Sequence, residues 1–401
     1  MLARIPFIIG IVVLGLAPGA GQSPVSTGKT GLLKSIAEYC KYLSSDALEG
    51  RVAGSEQGKE TRQWLKNWLK KNGFIPLGAE SGSYEQPFDG GTNLLAKLQP
   101  KNQADGPPEI LISVHFDGRR DCEKHPLAES GICNSASDNA AAVAAVMAVL
   151  ERISGDIGAP IALGLWDHEE HGILGSKHFA EFPTFATDSL RLIVNLDIIG
   201  LDLFSGLEDM HFAIGAETGG PELTKDLEKV LKQSDLRVQK LSYAFGHGRS
   251  DITRLILGGH EVPFIFFSDG DGSVYHTDAD EFSRVNLEKT AKVAEILSRL
   301  ILEVSRRDEA YQYHSPPILR NSVAPTFGDM LVIKSLISEV LAKGDQNNIL
   351  PEHLAALSAA LTKIEQIEKR GMDAFKPLDG LYLGQVMGEF ILLSRYQSTR
   401  R

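Results

Sequence analysis

The alternation of ILISVHFD at residues 110–117, SDNAAAVAAVMAVLERI at 137–153 and PIALGLWD at 160–167 decides the fold class of this chain. The first and third stretches are apolar runs of strand length, and the second has the length and alanine content of a helix. A further helical pattern follows at 173–182. Strands that alternate with helices are typical of an α/β domain, so we predict a mixed, largely parallel sheet flanked by helices.

The same alternation continues in both directions along the chain. Strand patterns occur at 190–200 and 262–269, and a long closing helix is predicted at 283–304. Upstream, residues 30–74 combine helical periodicity with a glycine-containing loop, and Gly73 is placed to end a helix. The predicted α/β domain therefore extends over most of the chain.

The first residues have the pattern of a secretory signal. Residues 1–21 contain one basic residue, Arg4, then an apolar run from Ile5 to Leu16 and a cluster of small residues. A membrane anchor is the alternative, but the apolar run is shorter than a comfortable span. We expect an exported protein, periplasmic or secreted, without stable membrane insertion after signal cleavage.

The chain divides into three predicted parts after the signal. Residues 22–306 form the α/β domain, and 307–325 read as a linker with prolines and few apolar runs. Residues 326–401 are predicted to be a helical appendage, in which Pro351 suits the first turn of a helix. Apolar residues recur there at helical spacing: Leu350, Leu354, Leu357, Leu361, Ile364 and Ile367. We expect this appendage to pack on the core or on a partner subunit, and the oligomeric state stays open.

Charge and cysteine content exclude some functions. The formal net charge is −11, and loss of Arg4 with the signal makes it −12, which argues against nucleic acid as a partner. Cys122 and Cys133 lie in one loop-like stretch, and export to an oxidising compartment makes a disulfide between them possible. Cys40 is predicted to be a buried apolar residue of a helix.

Ionisable side chains follow the predicted strands, at the sheet edge where open α/β sheets place their chemistry. They are His115, Asp117, Asp138, Glu169, Glu170, Asp197 and His276. Each has an ordinary structural explanation on its own; Asp138, for example, could favour a helix N-terminus. Together, two histidines and several carboxylates suit two divalent cations of the zinc type.

The pair Glu169 and Glu170 allows three interpretations. A charged turn at a strand end is the plainest. A zinc-protease helix would need histidines at i and i+4, whereas His168 and His171 are three apart and Gly172 would weaken a helix. In the third interpretation one glutamate binds metal and the other transfers a proton.

Five ordered motifs resemble those of the M28 family of zinc peptidases. They are HFD at 115–117, SASDNAAAVA at 135–144, DHEEHGILGS at 167–176, NLDIIG at 195–200 and YHTDAD at 275–280. The stretches at 42–60 and 84–98 are similar to the segment before the catalytic core in many bacterial members. The resemblance covers about residues 35–305 and implies an exported, co-catalytic peptidase, in most members an aminopeptidase.

The resemblance implies two zinc ions per chain and a role for each motif. One zinc would be held by His115, Asp138 and Asp197, and the other by Asp138, Glu170 and His276. Asp138 would bridge them, and Glu169 would be the general acid/base that takes a proton from water and passes it to the leaving amine.

Neighbouring residues have supporting or minor roles in this interpretation. Asp117 is suited to accept the second ring N–H of His115 and fix its tautomer, and Asp278 could do the same for His276. His168 and His171 are predicted to line the pocket or lie on the surface.

Two departures and three alternatives accompany the resemblance. Residues 118–137 form a longer connection than in compact members and could wall part of the site, and GRSDIT at 248–253 lacks the histidine that commonly follows its Ser-Asp pair.

A glutaminyl cyclase would use one zinc, held by Asp138, Glu170 and His276. A non-catalytic receptor is disfavoured because every ligand is kept, and a serine hydrolase because no G-x-S-x-G elbow follows a strand. The expected partner is therefore a peptide substrate.

Overall fold

The computed structural model describes residues 29–101, 103–204, 207–316, 318–319, 322–343 and 351–396, so the predicted signal at 1–21 lies outside the described residues. The helices are α1 (Lys29–Leu43), α2 (Glu56–Lys71), α3 (Ala141–Ile153), α4 (Leu174–Glu181), α5 (Gly220–Leu231), α6 (Ile252–Leu257), α7 (Leu287–Ser305), α8 (Phe327–Lys343), α9 (Pro351–Arg370) and α10 (Pro377–Tyr396). The strands are β1 (Ile75–Pro76), β2 (Glu85–Phe88), β3 (Gly91–Leu98), β4 (Ile110–His115), β5 (Ile161–Trp166), β6 (Leu192–Leu196), β7 (Met210–Ile214), β8 (Arg237–Leu241), β9 (Phe264–Ser268), β10 (Ile318–Leu319) and β11 (Ser322–Val323).

Nine of these strands form one mixed sheet. Its order is β1-β3-β5-β4-β6-β9-β7-β8, with β2 paired to β3. The central strands β5, β4, β6 and β9 are parallel, whereas β3 and β7 run antiparallel to their central neighbours. The carboxyl ends of the four central strands therefore lie along one edge, and the predicted fold class is confirmed.

The central strands are apolar throughout because helices cover both faces of the sheet. Alternate residues of β4 point to opposite faces. Ile112 and Val114 pack with α1, α3 and α7, while Leu111 packs with residues of α4, α6 and the C-terminal helices. This two-sided burial explains why the strands read as continuous apolar runs.

Helix α2 has a capped start and ends where the sequence predicts. The Ser55 hydroxyl accepts a hydrogen bond from the Gly58 amide at 2.9 Å and caps α2. After α2 ends at Lys71, Gly73 adopts φ +72°, the left-handed conformation that glycine provides at helix ends. The predicted helix end at Gly73 is confirmed.

Residues 201–260 contain elements that the sequence patterns did not predict. The structure places β7, α5, β8 and α6 there, and β7 and β8 extend the sheet at one end. The edge strand β8, RVQKL, is mostly half-buried or exposed, so it lacks the apolar run of a central strand. Its assignment depends on pairing with β7, which no local pattern reveals.

The C-terminal helices pack on the α/β core of the same chain. Helix α9 begins at Pro351, as predicted, and buries Leu357, Ile364 and Ile367 in the apolar cluster that also contains residues of α8 and α10. Leu350 lies outside the described residues. An ion pair joins Arg237 of β8 to Glu339 of α8. The exact boundaries 22–306, 307–325 and 326–401 stay a prediction.

No helix in the described part of the chain combines the length and apolarity needed to cross a membrane.

A buried carboxylate, Asp329, should be required for docking of the C-terminal helices. Its Oδ1 accepts from the Ser242 amide and its Oδ2 from the Ser242 hydroxyl, both at 2.7 Å. Asp329→Ala leaves these buried donors unsatisfied, so we expect a loss of about 1–3 kcal/mol in unfolding free energy, measured by urea denaturation. The exposed Asp373→Ala is the matched control and should change it by less than about 0.5 kcal/mol. Equal effects of the two substitutions would contradict this account of docking.

Candidate metal centre

The predicted site residues converge at the carboxyl edge of the parallel strands. His115 is the last residue of β4, Asp197 follows β6 directly, and Glu169 and Glu170 follow β5. His276 lies in the loop after β9. Asp138 comes from the turn that leads into α3. Residues far apart in sequence therefore meet because their strands are parallel neighbours.

The first group of ligand atoms surrounds His115. Its Nε2 lies 3.3 Å from Asp138 Oδ1 and 3.2 Å from Asp197 Oδ1. All three residues are buried. One imidazole nitrogen and two carboxylate oxygens thus face a common point.

The second group surrounds His276. Its Nε2 lies 3.3 Å from Asp138 Oδ2 and 3.3 Å from Glu170 Oε2. Asp138 therefore offers one oxygen to each group. The structure brings together all five residues that the resemblance implies as ligands, and their metal ligation stays a prediction.

The donor atoms fit zinc in type and in spacing. Imidazole nitrogen and carboxylate oxygen bind Zn²⁺ at ~2.0–2.1 Å in tetrahedral geometry, which places two ligand atoms ~3.3 Å apart. The separations of 3.2–3.3 Å between the His and carboxylate atoms match this value. The shared carboxylate of Asp138 makes the arrangement suited to two adjacent ions.

The electrostatics of the pocket also call for cations. Burial raises the pKa of Glu170 to about 7 and that of Asp197 above its usual range, and the charge of Asp138 adds to both effects. Burial alone would lower the pKa of His276, but its hydrogen bonds to Asp138 and Glu170 raise it to about 9. Carboxylates that are costly to ionise in a dry pocket are stabilised in their charged form by a bound divalent ion.

Glu169 belongs to neither ligand group, although it lies among them. Burial raises its pKa well above the usual range, and the charges of Asp197, Asp251 and Glu170 add to the increase. A carboxyl whose pKa is raised is a better proton acceptor than an ordinary carboxylate, as a general acid/base requires. The pair after β5 thus divides into a ligand-group member, Glu170, and a titratable neighbour.

The Asp117 carboxylate orients this pair. Its Oδ1 accepts from the Glu169 amide at 3.0 Å and its Oδ2 from the Glu170 amide at 3.3 Å. His115 Nδ1 lies 3.2 Å from the Asp117 backbone carbonyl and 3.5 Å from Oδ1. The carbonyl is therefore the closer acceptor for the ring, because the carboxylate is turned toward the two amides.

Asp280 holds the shared carboxylate in place. Its Oδ1 accepts from the Ser137 amide at 2.8 Å and the Ser137 hydroxyl at 2.7 Å, and its Oδ2 lies 3.2 Å from the Asp138 amide. Asn139, joined to Asp138 by a cis peptide bond, donates to the Leu196 carbonyl at 3.0 Å. The turn before α3 is thus tied to the end of β6.

The connection at 118–137 packs against the loop that carries His276. A disulfide joins Cys122 to Cys133, and the Glu123 amide donates to the His276 carbonyl at 2.9 Å. Asp278 accepts from the His125 amide at 2.7 Å, so its carboxylate binds this connection. Arg119 Nη1 reaches Glu170 Oε2 at 3.2 Å. The long connection therefore walls one side of the site.

The two additional histidines stand outside both ligand groups. His168 and His171 face each other with ring centroids 5.4 Å apart, and His171 is exposed. Their placement agrees with a lining or surface position.

Arg51 is a structural residue that the sequence did not single out. Its buried guanidinium donates to four carbonyls, those of Leu43 at 2.5 Å, Phe116 at 2.8 Å, Asn134 at 2.9 Å and Ser135 at 2.9 Å. It thereby ties together the two segments that lead into Asp117 and Asp138. The sequence signal was an arginine inside the stretch LEGRVAGS at 48–55, a pattern that does not reveal burial.

Asp251 also lies close to the centre without having been predicted as part of it. It is fully buried, and burial raises its pKa to about 7, with Asp197 and Asp117 adding to the rise. The Ser-Asp pair within 248–253 was the available signal.

The sequence profile of Peptidase family M28 matches residues 93–301, which is more than half of the chain. The chain therefore belongs to peptidase family M28. The family match agrees with the resemblance predicted from the five motifs. The chain is a zinc-dependent enzyme, either a peptidase or a related cyclase. No curated protein gives a significant sequence match.

Solved structures share this fold at low sequence identity. A Zn-dependent exopeptidase from Parabacteroides distasonis has a TM-score of 0.54 at 17% identity, covering 67% of this chain and 97% of that chain. A glutaminyl cyclase from Porphyromonas gingivalis has a TM-score of 0.54 at 16% identity, with 67% and 96% covered. A leucine aminopeptidase precursor from Bacteroides thetaiotaomicron has a TM-score of 0.53 at 16% identity, with 67% and 96% covered. The shared fold therefore accommodates both activities.

Loss of the shared carboxylate should remove both metals. We expect Asp138→Ala to lose nearly all bound zinc, because each group then keeps only two donors, whereas Asp197→Ala should lose about half. Zinc per chain after dialysis, measured by mass spectrometry, checks this.

His171→Ala is the control for these measurements, since it removes a nearby imidazole that belongs to neither group. It should keep the wild-type zinc content. Full zinc content in Asp138→Ala would overturn the assignment of this carboxylate as the bridge.

Replacement of Arg51 by lysine should destabilise the loops around the centre. A lysine ammonium cannot reproduce the planar fork that reaches four carbonyls, so Arg51→Lys should lower the unfolding free energy by about 1–3 kcal/mol. The exposed Arg152→Lys is the control and should leave it within about 0.5 kcal/mol. Urea denaturation of both zinc-loaded variants is the measurement, and an unchanged midpoint in Arg51→Lys would contradict the role.

Proposed function

We propose that this chain is an exported aminopeptidase that holds two zinc ions and releases amino acids from the amino terminus of peptides. The observation that carries the proposal is the presence of two three-residue donor groups that share Asp138, each with its own histidine. A single-ion enzyme would need only the group of Asp138, Glu170 and His276. His115 and Asp197 would act as metal ligands only in an enzyme that binds a second ion.

The chain's own residues supply the proton transfer. Zinc bound at the two groups would polarise the scissile carbonyl and make a water molecule more acidic. Glu169, with its raised pKa, accepts the proton from the attacking water and returns it to the leaving nitrogen. Asp117 keeps the Glu169 backbone in position through the hydrogen bond at 3.0 Å.

Glutaminyl cyclisation is the second candidate. The structure of the Porphyromonas gingivalis cyclase has the same TM-score to this chain as the exopeptidase, and this similarity supports cyclisation as a second candidate. That reaction would use one zinc at Asp138, Glu170 and His276, and Glu169 would again transfer the proton. The two candidates differ in metal content and in product.

Export is supported by two independent features. Residues 1–21 have a signal pattern. The disulfide between Cys122 and Cys133 suits an oxidising compartment such as the periplasm or the extracellular space.

The proposed activity is tested by assaying metal content and products together. We expect about two zinc ions per chain and release of free amino acids only from peptides with an unblocked amino terminus. Glu169→Gln should keep the zinc and reduce kcat by about 10²–10⁴-fold, because the amide cannot accept the proton.

The control peptides carry an acetylated amino terminus, and a glutaminyl peptide reports cyclisation. One zinc per chain, with pyroglutamyl product and no hydrolysis, would establish the cyclase instead. Release of amino acids from acetylated peptides at their carboxyl end would show a carboxypeptidase.

A further inference from the structure

An apolar cavity lies between the sheet and the C-terminal helix α10. Its volume is about 360 Å³, within the range of ~300–1,000 Å³ typical of small-molecule sites. Strands β7 and β9 contribute Phe212, Ile214 and Phe266 to its wall, and Leu203 and Phe245 come from loops. Such a lining suits an apolar side chain.

Two residues that line the cavity are direct neighbours of candidate zinc ligands. Ile198, which lines it, directly follows Asp197, and Tyr275 directly precedes His276. The rings of Tyr275 and His276 stack with centroids 3.6 Å apart. A peptide whose first carbonyl lies at the metal centre would therefore have its first side chain beside this cavity.

The ionisable groups that line the cavity have polar partners. Arg249 Nη1 lies 3.2 Å from Asp271 Oδ2, and His247 Nδ1 lies 3.1 Å from the Tyr243 hydroxyl. An ion pair at the wall satisfies its own charges, so it does not select for a charged side chain. The apolar residues of the wall therefore determine which substrate side chain is preferred.

Helix α10 contributes five residues to the lining of this cavity. Its contributing residues are Gly380, Leu381, Gly384, Met387 and Gly388. The three glycines recur at i, i+4 and i+8 and therefore lie on one helical face. Without side chains on that face, the helix leaves space that bulkier residues would fill.

The helix is fixed against the catalytic domain at this position. The Ser394 hydroxyl donates to the Asp271 carbonyl at 2.7 Å, and Phe390 packs on Phe204 with ring centroids 4.8 Å apart. Asp271 itself lines the cavity. The wall formed by α10 is thus tied to the loop between β9 and His276.

We propose that α10 forms the outer wall of the pocket for the substrate's amino-terminal side chain and gives this enzyme a preference for large apolar residues such as leucine. The proposal rests on the proposed aminopeptidase function. The C-terminal helical segment, which lies beyond the residues matched by the family profile, then determines specificity in addition to packing on the core.

Gly384 is the position where this wall can be changed with least disturbance. A Cβ atom built there meets only Pro325 Cγ, at 3.9 Å, which is ordinary van der Waals contact. Gly380 is unsuitable, because its Cβ would lie 2.8 Å from the Pro325 carbonyl oxygen. Gly384 and Pro325 both line the cavity, so a large side chain at 384 is expected to reduce the cavity volume without displacing the helix backbone.

The test compares Gly384→Phe with the wild-type, zinc-loaded full chain on dipeptides that begin with leucine or alanine. We expect kcat/KM for the leucyl peptide to fall at least about tenfold and that for the alanyl peptide to change less than about twofold, since only the larger side chain needs the filled volume. Gln385→Phe, at the next and exposed position of α10, adds the same bulk outside the cavity and should change neither. Equal losses on both peptides, or no loss on either, would overturn the proposal.

A second variant and a binding measurement keep the test decisive. Leu381 is 57% exposed, so Leu381→Ser should fold normally and lower the leucine-to-alanine preference several-fold. Calorimetric titration with L-leucinol and L-alaninol reports the pocket without turnover. A wild-type protein that hydrolyses no peptide would refute the proposed function alone. Tighter binding of leucinol than alaninol, lost in Gly384→Phe, would still support the pocket. Equal leucinol binding by the wild type and Gly384→Phe would refute it.

Discussion

A buried excess of carboxylates over cationic side chains is the constraint on which the rest of this structure depends. Asp138, Glu170 and Asp197 meet two imidazoles at the carboxyl edge of the parallel strands, and burial raises the pKa of Glu170 to about 7. Bound cations favour the ionised form of carboxylates in such a pocket. The histidine and carboxylate atoms already stand 3.2–3.3 Å apart, a separation that suits zinc ligands, and zinc bound there would add its binding free energy to the stability of the fold.

A second layer of hydrogen bonds keeps those donors in place. Asp280 holds the amide of Asp138, Asp117 holds the amides of the glutamate pair, and Arg51 ties two site loops to the N-terminal segment. These groups bind backbone atoms, so they fix the direction of a loop and not merely one side chain. The disulfide-containing connection does the same for His276 through its carbonyl.

The C-terminal helices extend this organisation to the substrate side. They dock through Asp329 and through apolar packing on the face of the sheet opposite α1, α3 and α7. Helix α10 thereby lines the cavity together with Ile198 and Tyr275, the sequence neighbours of Asp197 and His276. A segment that the sequence predicts only as part of a helical appendage thus acquires a position that bears on substrate choice.

The sequence by itself determined the fold class, the order of the central elements and the residue types that meet at the strand ends. Apolar runs and helical periodicity are local signals, and polar residues directly after buried strands such as β4 and β6 must lie at one sheet edge. The tertiary structure alone decided the edge strand β8, the burial of Arg51 and Asp251, the turn of Asp117 toward the glutamate amides, and the place of α10. Each of these depends on contacts between residues far apart in the chain, and no local pattern carries that information.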